Sequence, residues 1–438
     1  MKKRITAFTL CIVTVLNILM MTGCFVTGDG TGGTNPDNDI KKDPLVISGI
    51  TDPEKYADFN LSKDKLEQAL VFALEKIDSQ MIPQFTDKFP SHNSTNNVYK
   101  AEGNTGGWNC GFWTGILWHA YELTGDDKYM EVALGQIPSY VERINKKVNV
   151  DHHDMGFLYI PSCVAAYKLT GDTQARAAAI KAADQLISRY HEKGQFIQAW
   201  GSMGNKDNYR LIVDCLMNIP LLYWASEETG NSKYSAIANK HFQTTMDVCY
   251  RSDGSTYHTY YFDPVTGAPL KGVTAQGASD DSTWARGQAW GMYGPMLNFI
   301  YQPNAYTLTT FKASANYFLN YLPEDYVPYW DLSFSDGSSE PRDSSSAAIA
   351  VCAMLEAVKY MPETEPLRDV YMNACKRIMN SLIDSYTTRY TPEANGLLLH
   401  GTYNKNSNTG VDEMTIWGDY FYMEALHRML DPDWDLYW

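Results

Sequence analysis

The sequence predicts an all-α fold of six helical hairpins closed into an (α/α)6 barrel, and three observations carry that prediction. Apolar residues recur at close to 3.6-residue spacing along the chain, whereas alternating strand patterns are rare and short. Short and long connections alternate between the helical segments. The helices also fall into two kinds, one with a single apolar stripe opposite a charged face and one nearly free of charge.

The first 23 residues stand apart from this pattern. Lys2, Lys3 and Arg4 precede an apolar run too short for a comfortable membrane span, and small residues precede Cys24, which is the layout of an export signal. The ending Met21-Thr22-Gly23-Cys24 resembles a bacterial lipoprotein cleavage site. Cys24 is therefore expected to become the lipidated first residue of an exported protein, held by its lipid in the periplasm or at the cell surface. Residues 24–46 are polar and Gly-rich and read as a flexible tether, leaving 47–438 as a single domain.

Twelve helices are predicted to begin near Ser62, Asn109, Asp127, Asp154, Thr173, Leu211, Ser232, Thr283, Asn304, Asp343, Glu365 and Asp412. The second, fourth and sixth end in the similar turns "LTGDDKY", "LTGDTQA" and "ETGNSKY", and the eighth and tenth end in "YQPNAY" and "MPETEP". Such turns make tight antiparallel hairpins. The segments leading into the even-numbered helices are instead long and rich in Gly, Asn, Asp, Trp and His, as in Pro83 to Gly107 and Arg251 to Ser282. Odd helices such as "LEQALVFALEKI" suit an outer ring, and even helices such as "GFWTGILWHAY" and "GQAWGMYGPMLNF" suit an inner ring buried on most sides. Function is expected where the long loops and inner-helix N-termini converge.

The formal charge is −15, and removing the first 23 residues takes away three cations and moves it to −18. Such a surface argues against nucleic-acid or anionic-membrane partners, so any anionic ligand needs a local cationic pocket. Cys110, Cys163, Cys215, Cys249, Cys352 and Cys375 are scattered, with no paired spacing suited to zinc, and read as small buried hydrophobes.

The inner-helix entrances supply Trp108 and Phe112; His153 and Asp154; Asp214; Trp284, Arg286 and Trp290; Asp343 and Ser344; and Trp417 and Asp419. Aromatic planes with polar groups between them suit a sugar, whose ring has apolar faces and polar edges. Asp154 is at once a plausible helix cap and a plausible site acid. Asp214 lies in a nearly charge-free segment, so it must be paired, hydrogen-bonded or protonated with a raised pKa, and the last suits a general acid. Arg286 either pairs with an acidic neighbour or grips a substrate carboxylate. His153 and His258 lack the tight helical spacing of a zinc site, so no metal is expected.

At "GGWNCGFWTGILWHAYELTGD", "HHDMGF", "IVDCLMNIPLLYWASEETG", "STWARGQAWGMYG" and "VDEMTIWGDYFYMEAL" the chain resembles the unsaturated glucuronyl hydrolases, glycoside hydrolase family 88, over roughly Leu61 to Leu430. The resemblance implies an (α/α)6 barrel that releases a 4,5-unsaturated uronic acid from the non-reducing end of lyase-generated oligosaccharides, by hydration of a vinyl ether and without a cofactor. It implies Asp214 as general acid and base and Asp154 as the second essential carboxylate. It further implies that Trp108, Phe112, Trp200, Trp290 and Tyr403 wall the site, with His153, His258, Gln276, Ser282 and Arg286 as polar contacts to the sugar. Related readings are an unsaturated rhamnogalacturonyl hydrolase, an inverting glycosidase on the same barrel, and a non-catalytic glycan-binding lipoprotein. Lys405 and Ser407 are plausible sulfate contacts beside Tyr403.

Overall fold

Three short turns show how the hairpins form. Gly125, Gly171 and Gly230 take φ of 68°, 74° and 72° and close the helices before them, a left-handed conformation that a residue without Cβ adopts at little cost. The next residue in each case, Asp126, Asp172 or Asn231, accepts a hydrogen bond from the first turn of the following helix. One glycine and one cap therefore reverse the chain.

The computed structural model describes residues 44–438. The predicted signal segment, Cys24 and most of the tether lie outside them. Among the described residues twelve long helices follow in order: α1 (63–85), α2 (Cys110–Thr124), α3 (Asp127–Asn145), α4 (155–170), α5 (Thr173–Ile187), α6 (Pro220–Thr229), α7 (Ser232–Cys249), α8 (Ala285–Tyr301), α9 (Ala305–Asn320), α10 (Ser344–Val358), α11 (366–386) and α12 (Ile416–Leu430). Each of α1, α4 and α11 includes a π-helical turn.

The even helices contact one another in sequence, α2 to α4, α4 to α6, onward to α12, and α12 packs back on α2. That closes the inner ring. Each is backed by an odd helix, with α1 lying on α12 so that the two chain ends complete the last pair. The composition explains the division: every residue of α10 is buried, as is α8 from Ala285 to Phe299, whereas α3 and α11 bury one stripe. Small residues let the inner helices approach closely. At Gly156 in α4 a Cβ would lie 2.4 Å from the Asn218 Cα, so alanine would force the two segments apart. This is the expected (α/α)6 barrel.

Two helix starts differ from the sequence reading. Near Leu211 the chain forms a strand, β1 (Arg210–Ile212), and then a 3-10 turn (Val213–Met217) before α6 begins. The run Leu211-Ile212-Val213 suits either state, and pairing with β2 (Thr259–Phe262), itself paired with β3 (Pro269–Val273), decides it. Near Asp412 the chain is likewise a strand, because β4 (Gly401–Asn404) and β5 (Thr409–Glu413) form a hairpin ahead of α12. Both strands stand at the mouth of the ring. All six cysteines in the described residues are buried and unbridged.

Candidate active site

Asp154 and Asp214 reach the same point by different local routes. Asp154 is the residue before the first turn of α4, but its carboxylate caps nothing and points instead toward two imidazoles. Asp214 sits in the 3-10 turn rather than in a regular helix, which carries its side chain out of the inner-ring packing and into a cleft. Asn218 couples the two segments: its Oδ1 accepts the Phe157 N–H at 2.8 Å while its Nδ2 donates to the Asp214 carbonyl at 3.2 Å. Sequence reading passed over Asn218. Its only cue was a polar side chain within an apolar run.

His153 lies between the acids, its Nε2 3.3 Å from Asp154 Oδ1 and 3.6 Å from Asp214 Oδ1. Both ring nitrogens of His153 and Asp214 Oδ1 are buried without a hydrogen-bond partner in the protein. Such groups are costly to leave unpaired, which marks them as places for a ligand's hydroxyls or for water. His152, also missed, orients Asp154: its Nδ1 accepts the Asp154 N–H at 3.1 Å, its Nε2 faces the Asn149 carbonyl at 3.0 Å, and its ring stacks on Trp200. A carbonyl cannot donate, so Nε2 carries the proton.

The electrostatics separate the two acids. Burial pushes the Asp214 carboxyl well above the ordinary range, and the nearby Asp154 charge pushes the same way against a weaker pull from Arg286. Burial also opposes ionisation of Asp154, but His153, His152 and the charge of Arg189 together outweigh it and hold its carboxyl below the usual value. Burial lowers His153 to about 4 and His258 to about 3, so both rings are neutral near pH 7. Of the two acids, Asp214 is thus the one driven toward its protonated form and Asp154 the one driven toward ionisation. Two acids whose environments drive them apart are the usual arrangement for acid–base work.

The cleft is about 230 Å³ and is lined by Trp108, Asp154, Trp200, Arg210, Ile212, Asp214, His258, Ala275, Gln276, Trp284, Arg286, Trp290, Tyr403 and Asn404. It is somewhat smaller than the roughly 300 Å³ at which drug-sized sites begin, so it suits one ring rather than a chain. Trp290 closes the bottom, packed on Phe157 and Phe421. Trp108 and Tyr403 join across the mouth through a 3.3 Å bond from the indole Nε1 to the phenol oxygen.

Seven of the ten substrate residues expected from the sequence line the cleft, and the other three stand off its wall. Phe112 is fully buried beneath Trp108 and Phe157, where it supports the wall without lining it. Ser282 is likewise off the wall, donating to Asp331 Oδ2 at 2.6 Å and fixing the loop that presents Gln276. His153 lies behind the wall between the acids. Arg286 lines the cleft, but four of its five N–H donors are taken: Nη1 bonds Asp343 Oδ2 and the Thr402 carbonyl, and Nη2 bonds Gln276 Oε1 and the Tyr403 carbonyl. Of the two readings of Arg286, pairing with an acidic neighbour is the one observed. Because Gln276 spends its oxygen on Arg286, its amide N–H groups remain to donate to a ligand. Asp419 is structural, accepting the Leu398 N–H and the Tyr99 hydroxyl, and burial raises it to about 7.

His153, Asp154 and Asp214 also each offer an atom within 4.8 Å of the others, a grouping that could receive a cation. The same atoms would then be committed to an ion and not to proton transfer. The short spacing bears on the chemistry as well. An inverting glycosidase keeps its carboxyls roughly 6.5–9.5 Å apart to admit water between them, and these acids are closer.

Comparison with known proteins agrees with this geometry. The family model described as Glycosyl Hydrolase Family 88 matches residues 81–424. The chain is 48% identical over 400 residues to the unsaturated chondroitin disaccharide hydrolase of Streptococcus agalactiae serotype III (strain NEM316), covering 91% of this chain and 100% of the relative. The crystal structure of an unsaturated glucuronyl hydrolase from Streptococcus agalactiae superposes with a TM-score of 0.88 at 48% identity, over 91% of this chain and 100% of that one. A mutant of the Streptococcus agalactiae enzyme complexed with dGlcA-GalNAc6S superposes with a TM-score of 0.81 at 44% identity and the same coverage. A closed ring of six helix pairs, two neighbouring acids whose surroundings drive their pKa values apart, and a family match spanning both lead to one conclusion: the chain is a glycoside hydrolase belonging to glycoside hydrolase family 88.

Proposed function

We propose that this enzyme releases a 4,5-unsaturated uronic acid from the non-reducing end of glycosaminoglycan-type oligosaccharides left by lyases. What supports the reading is the pairing, in a cleft that admits one ring, of Asp214, whose carboxyl is driven upward, with Asp154, whose carboxyl is driven downward. The Asp214 carboxyl gives its proton to C4 of the C4=C5 bond while positive charge builds on C5 and the ring oxygen. Water adds to C5, and the Asp214 carboxylate takes the proton that this water loses. The C5 hemiketal opens to a ketone, and the hemiacetal left at C1 expels the leaving sugar. Asp154 accepts hydrogen bonds from the sugar hydroxyls, and its charge keeps Asp214 protonated until the alkene arrives.

The test is to follow the ultraviolet absorbance of the conjugated enoate in an unsaturated disaccharide. Absorbance is expected to fall as free sugar appears, at the same rate with and without a chelator. Sugar release at constant absorbance would point to ordinary glycosidic displacement, and loss of activity on chelation, restored by a metal, would point to an ion among His153, Asp154 and Asp214.

The same proposal places the enzyme outside the cytoplasm, tethered through a lipid on Cys24. The charged, apolar and small-residue order of residues 1–24 supports it. In bacteria fed a labelled fatty acid, the wild-type protein is expected to take up label and sediment with membranes, and Cys24→Ser to do neither. An unlabelled wild-type protein would overturn the anchor.

A further inference from the structure

Helix α5 ends at Ile187, and two residues later Arg189 carries a fully buried side chain. Its guanidinium joins two separate segments. Nε donates to the Gln198 carbonyl at 2.9 Å and Nη2 to the Gly201 carbonyl at 2.8 Å, while Nη1 bonds Oδ1 of Asp151. Gln198 and Gly201 flank Trp200, a wall of the cleft, and Asp151 stands three residues ahead of Asp154 in the approach to α4. One planar fork therefore ties the loop that carries an acid to the turn that carries an aromatic wall.

The surroundings show what the tie fixes. The buried Gln198 amide donates to the Gly201 carbonyl at 3.0 Å and to the Ser202 carbonyl at 3.3 Å, so the Gly201 oxygen is held by two side chains. Gly201 takes φ of 83°, and a Cβ there would lie 2.2 Å from the Asn208 Nδ2, so the turn is close-packed as well as hydrogen-bonded. Across the seam the His153 N–H donates to the Ala199 carbonyl at 3.1 Å, and the Trp200 ring stacks on His152 with centres 4.5 Å apart. His152 in turn orients Asp154, as described above. The Asp151 side chain is 68% exposed, so its ion pair alone contributes little. The buried carbonyl bonds and the seam they support are what a change at Arg189 would release.

We propose that Arg189 is a positioning residue that fastens the Trp200 turn to the approach of α4 and thereby sets the spacing between the aromatic wall and Asp154. The kinetic consequence rests on the proposed unsaturated disaccharide substrate; the clamp itself does not. A sugar ring laid on Trp200 presents its hydroxyls to Asp154 only while both segments keep that spacing, and a small misplacement is costly. A lysine ammonium on a flexible stem keeps the charge but not the fork.

Two readouts test this, one of them free of substrate. In hydrogen–deuterium exchange of the unliganded protein, Arg189→Lys is expected to speed exchange together in the segments 151–154 and 198–202, with α8 and α10 unchanged. In steady-state kinetics on an unsaturated disaccharide, Arg189→Lys should raise KM about tenfold with a smaller change in kcat. In a Trp200→Ala background the same substitution should raise KM less than about twofold, because the wall it positions is gone. Asp151→Asn, a change at an exposed side chain, should repeat the pattern more weakly, and it carries the test if Arg189→Lys does not fold. Equal KM losses with and without Trp200, which a merely structural role would give, overturn the proposal. So does unchanged exchange in both segments. A wild type without turnover counts against the proposed function, and the exchange result still decides the clamp.

Discussion

Asp214→Asn is expected to fold, to bind an unsaturated disaccharide, and to lose turnover by roughly a hundredfold to ten-thousandfold, the usual contribution of a positioned general acid. The amide keeps the shape and can still hydrogen-bond, but it has no proton of suitable acidity for C4 and cannot recover one from water. A steady-state assay with a separate binding titration checks this: kcat should collapse while affinity changes little. Turnover near the wild-type level would remove Asp214 from the reaction. The same variant carries a stability signature. Because burial and Asp154 raise the native pKa of Asp214, the unfolded chain gives up that proton more readily than the folded one. Stability is therefore lost as pH rises from the ordinary carboxylate value toward the raised native value, and is intact below it. Asp214→Asn has no such proton to lose. It should melt higher than the wild type near pH 7, with the difference vanishing in acid.

Asp154→Asn should also cost about a hundredfold or more in kcat/KM, for two reasons that pH can separate. It removes an acceptor for the sugar hydroxyls, which lowers activity at every pH. It also removes the negative charge that, after burial, does most to keep the proton on Asp214. The second effect has a direction: with the like charge gone, Asp214 ionises more easily, so the alkaline limb of the residual kcat/KM profile moves to lower pH. A limb that stays in place would mean that burial alone holds the proton, leaving Asp154 as a binding group only. Neither variant should unfold the protein, since Asp154 caps no helix and Asn218, not either acid, ties α4 to the 3-10 turn.

Much of this was legible in one dimension, for a physical reason. A helix writes its buried face into sequence at a fixed period, and a glycine followed by Asp or Asn marks the reversal between two helices. The alternation of loop lengths then leaves few ways to close the ring, so the barrel and the end that bears the site could be read before any coordinate. Asp214 was conspicuous because a carboxylate in an apolar run demands a reason. Trp108, Trp290 and Tyr403 stood out as aromatics at helix entrances or through the motifs shared with the family.

What the sequence could not state is which partners these groups choose. Arg286 had two readings of equal chemical merit, and only the folded chain brings Asp343, Gln276 and two carbonyls within reach of one guanidinium. Phe112 and Trp108 look alike as aromatics near one helix start, yet one is beneath the wall and the other in it. Arg210 lay in a segment that read as the approach to a helix, and it became a wall residue because β2 paired with β1 and turned it into the cleft. The sequence by itself determined the ring, the end of the ring that opens, and the two acids, because periodicity and the cost of burying charge are local properties of the chain. Only the tertiary structure decided which acid is driven toward its protonated form and which partners Arg286 takes, because both depend on distances between segments that are far apart in sequence.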